Sequence, residues 1–452
     1  MRAAPPELPG AQLVDSPLDR ALALLLTGER EAALRWSAAV VQQDASVPSA
    51  LILTCRLLAD AGRTEAAVEG FELGVKRAID TGNLPLAVAA VGDLKALGVD
   101  VGEHLDAIAA AFCSGSSRLV DDAAPPPPPL PTDESFKPLS SFLTGPALLS
   151  KATQIIHDAS KAYDALSDSE PPLITAIPLF SALEKDGLRA LIGCFEMFTV
   201  PAGKPVISQG EEGAEAYIVA RGELEVRRTT EDETQLTLAR LTNGALFGEM
   251  ALLSRAPRAA SVVANRPSIL LVARRDALEL VASKRPDVGI ELAAHCRRRM
   301  VANLVRTSKV LLSVVPEERP ALVERFETRV FEKGDKLIEE GKQTNGLHLV
   351  ASGEVAVIGH EEGGEPFVIA TLGVGETVGE VALVLRRVAN ADVIAVHPTV
   401  TLHLPREEFM TLVRDHPAIL AGLYICAVER DDETSSVLAG STTAVADDYV
   451  LI

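Results

Sequence analysis

The chain repeats itself at one fixed offset, and that limits its fold more than any other feature. Phe195-Glu196 returns as Phe326-Glu327, Gly203 as Gly334, Gly210 as Gly341 and Gly222 as Gly353. Gly244 returns as Gly375, Gly248-Glu249 as Gly379-Glu380 and Pro286 as Pro417. Each pair is 131 residues apart (326 against 195). Conserved spacing without insertion requires two copies of one domain. Within each copy, alternating segments such as "AYIVARGELEVRR" and "GLHLVASGEVAVIG" are separated by Gly turns. Short strands at this spacing favour a β-sandwich or jelly-roll barrel over a parallel sheet. Each copy opens with a short helical stretch, "PLFSALEKDGLRALIGCF" or "VVPEERPALVERF", and ends in a helix after a proline.

The chain before the copies has a different texture. To about residue 115, apolar residues recur at spacings of three and four, the helical period. "TGEREAAL" is echoed by "AGRTEAAV", with Gly28 and Gly62 at equivalent places, 34 residues apart (62 against 28). This resembles the tetratricopeptide repeat, which implies stacked helical hairpins and a concave protein-binding face. "TGNLPLAVAAVGDLKALG" reads as a further, shorter hairpin; a generic helical array is the alternative. Prolines 125–129 and 131 favour extended polyproline and read as a stiff linker. "GPALLSKATQIIHDASKAYDAL" reads as one amphipathic helix able to pack on either neighbour.

The expected class is multidomain α + β, a helical repeat followed by two jelly-roll domains with flanking helices. The expected boundaries are 1–115 for the repeat, 116–172 for linker and helix, 173–308 and 309–428 for the two copies, and 429–452 for a disordered acidic tail. Its last residues, Tyr449 to Ile452, read as a frayed end rather than a docking peptide.

Composition narrows the function. The formal net charge is −20, with 63 acidic against 43 basic residues, which opposes a general nucleic-acid role. Five scattered cysteines without a CxxC pair suggest neither a disulfide frame nor a zinc knuckle. No apolar run reaches the length of a membrane span, so a soluble cytoplasmic protein is expected, without membrane or nucleic-acid partners. No metal or cofactor is expected. Between His157 and His295 there is no histidine, and no HExxH, GxxxxGK[ST] or GxSxG pattern occurs, so an enzyme is not expected.

The chemistry concentrates in "FGEMALLSRAPRAASVVA". A strand turn at Gly248 leads into a short helical turn at Met250 to Leu253. Glu249 accepts hydrogen bonds only, so it suits a hydroxyl-bearing sugar and repels phosphate. Arg258 offers a forked, charge-assisted contact to an anion. One acid for a hydroxyl pair and one guanidinium for a phosphate describe a ribose fused to a phosphate.

These residues resemble the phosphate-binding cassette of the cyclic-nucleotide-binding domain family, in the form found in regulatory subunits of cAMP-dependent protein kinase. The resemblance implies that Glu249 holds the ribose 2′-hydroxyl and Arg258 the exocyclic phosphate oxygens, with backbone N–H groups near Gly248, Ala251 and Ala259 completing the cradle. The implied ligand-binding set is Gly248, Glu249, Met250, Ala251, Arg258, Ala259, Ala260 and Ser261. Members specific for cGMP often carry threonine where this chain has Ala259, which favours cAMP, with cGMP the alternative.

The second copy, "VGEVALVLRRVANADVIA", departs from the pattern. It keeps Gly379, Glu380 and Ala382, but Ala389 and Asn390 stand where Arg258 and Ala259 do, and Asp392 replaces Ser261. A cyclic phosphate there would lose its guanidinium and meet a nearby carboxylate. Three readings stay open: an empty structural site, an uncharged ligand such as a nucleoside held by Glu380, or a protein contact. Arg386 and Arg387 are expected to face solvent or a partner.

The layout of association region, linker and two tandem binding domains is close to a kinase regulatory subunit. The segment before the first copy nevertheless lacks paired arginines ahead of a Ser or Ala, and "RRTT" at 227–230 falls in an expected strand turn. No helix-turn-helix follows the second copy, as a transcription factor would need. The expected function is a cyclic-nucleotide sensor that relays binding to a protein partner through the helical repeats. A homodimer stays open. The alternative is a scaffold using both domains for protein contacts.

Overall fold

The computed structural model describes residues 16–120, 136–165, 171–229, 234–253, 256–312, 324–360, 366–415 and 423–431, with single positions at 322, 417 and 419–421. The proline run, the opening helical stretch of the second copy between 313 and 320, and Tyr449–Ile452 lie outside them. The chain forms two compact bodies. One comprises residues up to 208 with 216–247 and 261–291, and the other comprises 209–215, 248–260 and 292 onward.

In the first body six helices run in sequence: α1 Pro17–Leu26, α2 Arg30–Gln43, α3 Pro48–Asp60, α4 Thr64–Asp80, α5 Leu84–Ala96 and α6 Gly102–Phe112. Pro stands at the start of α1 and α3, where its missing N–H has no partner to lose. Gly28 and Gly62 turn the chain between paired helices with φ of +87° and +77°. The "TGNLPLAVAAVGDLKALG" stretch supplies only α5; α6 is its neighbour. The predicted amphipathic helix is α7, Gly145–Asp164, and it packs against α2 and α4. There Arg35 donates to the Leu143 carbonyl at 3.0 Å, and His157 Nδ1 lies 3.0 Å from Glu69 Oε1.

The first copy has α8, Lys185–Ile192, and eight strands: β3 Glu196–Val200, β4 Pro205–Ile207, β5 Glu215–Arg221, β6 Leu224–Thr229, β7 Gln235–Leu241, β8 Leu246–Phe247, β9 Ser261–Ala264 and β10 Ser268–Arg274. They follow a short parallel pair, β1 Leu119–Val120 and β2 Ile174–Thr175. The eight form two four-stranded sheets, β3-β10-β5-β8 and β4-β9-β6-β7. Val219, Leu224, Phe247 and Leu270 lie in the apolar core. Arg227–Thr229 belong to β6 rather than to a turn. In the same body, buried Asp19 of α1 accepts from Arg221 at 2.5 Å and Arg266 at 3.2 Å, which ties the helical region to the strands.

The second body repeats the sandwich with β11 Glu327–Phe331, β12 Lys336–Ile338, β13 Gly346–Ser352, β14 Val355–Gly359, β15 Phe367–Leu372, β16 Thr377–Val378, β17 Asp392–Ala395 and β18 Thr399–Pro405. The sheet orders, β11-β18-β13-β16 and β12-β17-β14-β15, reproduce the first copy strand for strand. Six of the eight strands begin and end 131 residues after their counterparts, so the sequence register is the structural register. The expected barrels take the form of paired antiparallel sheets with separate hydrogen-bond ladders. The predicted helix after the first copy spans Pro286–Thr307. Residues 423–431 are helical, so the tail expected from residue 429 does not start there; residues 432–452 lie outside the described residues. Among the described residues, no helix is long and apolar enough to cross a membrane.

Two histidines are buried side by side in the second sandwich, His348 and His403, with ring centroids 4.4 Å apart. His348 Nδ1 lies 3.0 Å from Thr401 Oγ1. Burial, with His403 and Arg329 adding to it, pushes the His348 pKa down to about 3. The unfolded chain therefore binds more protons than the folded one between that value and the ordinary histidine pKa, and stability falls as pH drops through this window. One such group is worth about 2 kcal/mol between pH 7 and pH 5. We expect His348→Leu to flatten this loss, read as a smaller difference in calorimetric melting temperature between pH 7.5 and 5. An unchanged acid slope would show that His348 does not carry it.

Candidate functional site

Gly248 follows β8 with a φ of +74°, a conformation costly for any residue with a Cβ. It turns the chain into the predicted helical turn, Met250–Leu253. Glu249 is only 3% exposed. A buried carboxylate needs a partner, and Glu249 Oε1 accepts from Arg299 Nε at 3.1 Å. Arg299 lies on the helix Pro286–Thr307, and one turn before it Cys296 directs its thiol at the Glu249 carbonyl, 3.8 Å away. Burial, then the Glu249 charge, push the Cys296 thiol up to about 12, so it stays protonated and donates.

The Arg258 side chain is 8% exposed and does not point into bulk water. Its Nη1 donates to the Gly248 carbonyl at 2.8 Å, and its Nη2 donates to the Glu215 carbonyl at 2.9 Å with Glu215 Oε2 at 3.5 Å. The Arg258 backbone pairs with the preceding loop, its N–H reaching Glu211 O and its carbonyl accepting from Gly210 N, both at 2.9 Å. At Gly213 a Cβ would run into the guanidinium, so glycine makes room for it. Gly248, Glu249 and Arg258 thus belong to one built cluster, joined by Glu215 and Arg299. The Met250 side chain packs on the apolar cluster containing Met300, Leu304 and Leu383. Ala251 lies within the helical turn, Ala259 and Ala260 follow Arg258 in a bend, and Ser261 opens β9 opposite Arg227.

The second cassette keeps the acid and its partner. Gly379 has a φ of +90°, and Glu380, 1% exposed, opens the helix Glu380–Val384. Glu380 Oε1 accepts from Arg430 Nη1 at 2.6 Å, and Arg430 also donates to the Thr377 carbonyl. Arg430 stands 131 residues after Arg299 (430 against 299), so the pair is conserved between copies. The sequence reading missed both arginines and assigned Arg430 to the tail. Burial raises the Glu380 pKa against the pull of Arg430. Ala382 and Ala389 are buried.

The expected carboxylate repulsion from Asp392 is corrected. Asp392 accepts from Lys336 Nζ at 2.7 Å and from the Glu340 N–H at 2.8 Å, and His360 Nε2 lies 3.7 Å away, so its charge is answered within the sheet β12-β17-β14-β15 and its flanking loops. Arg387 does not simply face solvent either: it pairs with Asp431, which also accepts from Asn390 Nδ2 at 3.2 Å.

Comparison with known proteins agrees with the paired architecture. Residues 197–285 and 328–416 match the family model of the cyclic nucleotide-binding domain. The cAMP-dependent protein kinase regulatory subunit of Yarrowia lipolytica is 31% identical over 241 residues, 53% of this chain and 60% of that protein. That of Hypocrea atroviridis is 31% identical over 243 residues, 52% of this chain and 50% of that protein. The match thus spans only half to three-fifths of these relatives' length. Among solved structures, the regulatory domain of Toxoplasma gondii PKA with cAMP is 25% identical, with a TM-score of 0.28, covering 56% of this chain and 92% of that one. The chain carries tandem cyclic nucleotide-binding domains and is similar over about half its length to regulatory subunits of cAMP-dependent protein kinases.

Proposed function

We propose that the chain is a regulatory protein that senses a cyclic nucleotide, cAMP in preference to cGMP, at its first cassette. The observation that carries this reading is the coexistence of two buried opposite charges in one glycine-led turn. Glu249 offers acceptor oxygens to a ribose hydroxyl, and Arg258, held by two backbone carbonyls, is fixed in place as a fork for a phosphate. Preorganisation of this kind cuts the entropy lost on binding. Ala259 leaves no hydroxyl for a guanine, which favours the adenine ligand.

The relay follows from what the cassette touches. Arg299 joins Glu249 to the helix Pro286–Thr307, and Met250 joins the helical turn to the apolar cluster that includes Met300, Leu304 and Leu383. A ribose hydroxyl competing for Glu249 changes the company of Arg299. A ligand shifts only states that it binds unequally, and this helix is the element such a shift would move. The similarity to kinase regulatory subunits favours a protein kinase as the output, with the N-terminal helices supplying a further protein contact.

Two measurements test the reading. Arg258→Ala should weaken cAMP binding by roughly 30- to 150-fold in isothermal calorimetry, the loss of a charged hydrogen-bonded contact of about 2–3 kcal/mol; unchanged affinity would end the assignment. A double-mutant cycle between Glu249→Gln and Arg299→Ala, read from urea unfolding, should give a coupling of about 1–3 kcal/mol. A coupling below about 0.5 kcal/mol would uncouple the helix from the cassette.

A further inference from the structure

The second domain loses its guanidinium, yet the carbonyl that the guanidinium would hold is still capped. Three positions change together between the copies: Arg258 becomes Ala389, Glu215 becomes Gly346 and Gly213 becomes Thr344. In the first copy Arg258 holds the Glu215 carbonyl. In the second the Thr344 hydroxyl donates to the equivalent carbonyl, that of Gly346, at 2.9 Å. The backbone frame survives, with Gly341 N donating to Ala389 O and Ala389 N to Lys342 O, both at 2.9 Å. Loss of the arginine, its acid and the glycine that made room for it is thus matched by a neutral replacement on the same oxygen.

Behind this frame lies a partly open cavity, with about 610 Å³ of empty space once its mouth and the solvent there are counted. Its polar lining is Glu380, Asn390 and Arg430, and its walls include Ile338, Val357 and Leu372. Arg430 is engaged with Glu380, and the lining holds no second guanidinium. Arg387 is turned to Asp431, and Asp392 to Lys336. Opposite charges therefore balance inside the cavity, and a phosphate entering it would bring an unmatched charge into an apolar space. Glu380 Oε2 is buried and makes no hydrogen bond of good geometry among the described residues, although the Thr377 hydroxyl and the Glu380 N–H also bear on the carboxyl group. An orphaned buried acceptor calls for a donor.

We propose that this cavity binds an uncharged nucleoside, whose ribose hydroxyl donates to Glu380 Oε2 and whose base lies against the apolar wall. The ligand class follows from the donor the acid lacks, the apolar body the walls accept and the anion the site no longer welcomes. The inference does not require a ligand at the first cassette.

The test is equilibrium dialysis of the full chain carrying Arg258→Ala against adenosine, guanosine and inosine, with cAMP as competitor. One nucleoside per chain is expected, not displaced by excess cAMP, and weakened roughly tenfold or more by Glu380→Gln and by Ala389→Leu, which fills the cavity. Melting temperatures identify any variant that fails to fold, and the other variant then decides. Three results would overturn the proposal: no nucleoside bound at about 1 mM, displacement by cAMP, or binding insensitive to the folded variants. Because cAMP binding by the unmutated chain reports the first cassette separately, the failure of one site is distinguishable from failure of the other.

Discussion

Each cassette depends on a buried carboxylate meeting a guanidinium that arrives fifty residues later in the chain. Glu249 and Glu380 are almost fully enclosed. An unpaired carboxylate in such a place costs several kcal/mol, so neither cassette can close without the helix that brings Arg299 or Arg430. The need to neutralise the acid ties a local turn to a distant helix. It also explains why the pair persists in the copy that has lost Arg258: the pair is required by the fold, whatever ligand the cavity accepts.

The two copies separate structural from recognition chemistry. Most strand boundaries, the sheet order, the positive-φ glycine, the acid and its arginine are common to both. The differences cluster on one carbonyl and the side chain that caps it. A guanidinium caps it in the first copy and brings a charge; a threonine hydroxyl caps it in the second and brings none. Since both solutions satisfy the backbone, the change in charge is free to reflect what each cavity binds.

Much of this was legible in the sequence. The 131-residue register needed only glycine positions, because a turn that demands positive φ fixes its residue type. Glu249 and Arg258 stood out as long polar side chains among small ones. Arg299 was hidden because it sits in a run with Arg297 and Arg298 that reads as a solvated basic block, and its partner is remote in sequence. Arg430 was hidden by the acidic residues after it, which made the whole stretch read as a tail. Offset bookkeeping extended to these two arginines would have found them. Asp392 was misread because nearness in sequence gives no direction: it opens β17, and Lys336 on the adjoining strand β12 takes up its charge.

Met250, a member of the implied ligand-binding set, also adds a packing constraint. By packing on the cluster that includes Met300, Leu304 and Leu383, it joins the cassette's helical turn to the core of the second sandwich. Packed interiors do not deform smoothly, so a shift of that turn must be met by repacking or by motion of the whole cluster. The proposed relay would thus have two contacts to draw on, one electrostatic through Arg299 and one steric through Met250. Arg299 and Met300 are neighbours on the helix Pro286–Thr307. A ligand that disturbs either contact acts on the element that carries both.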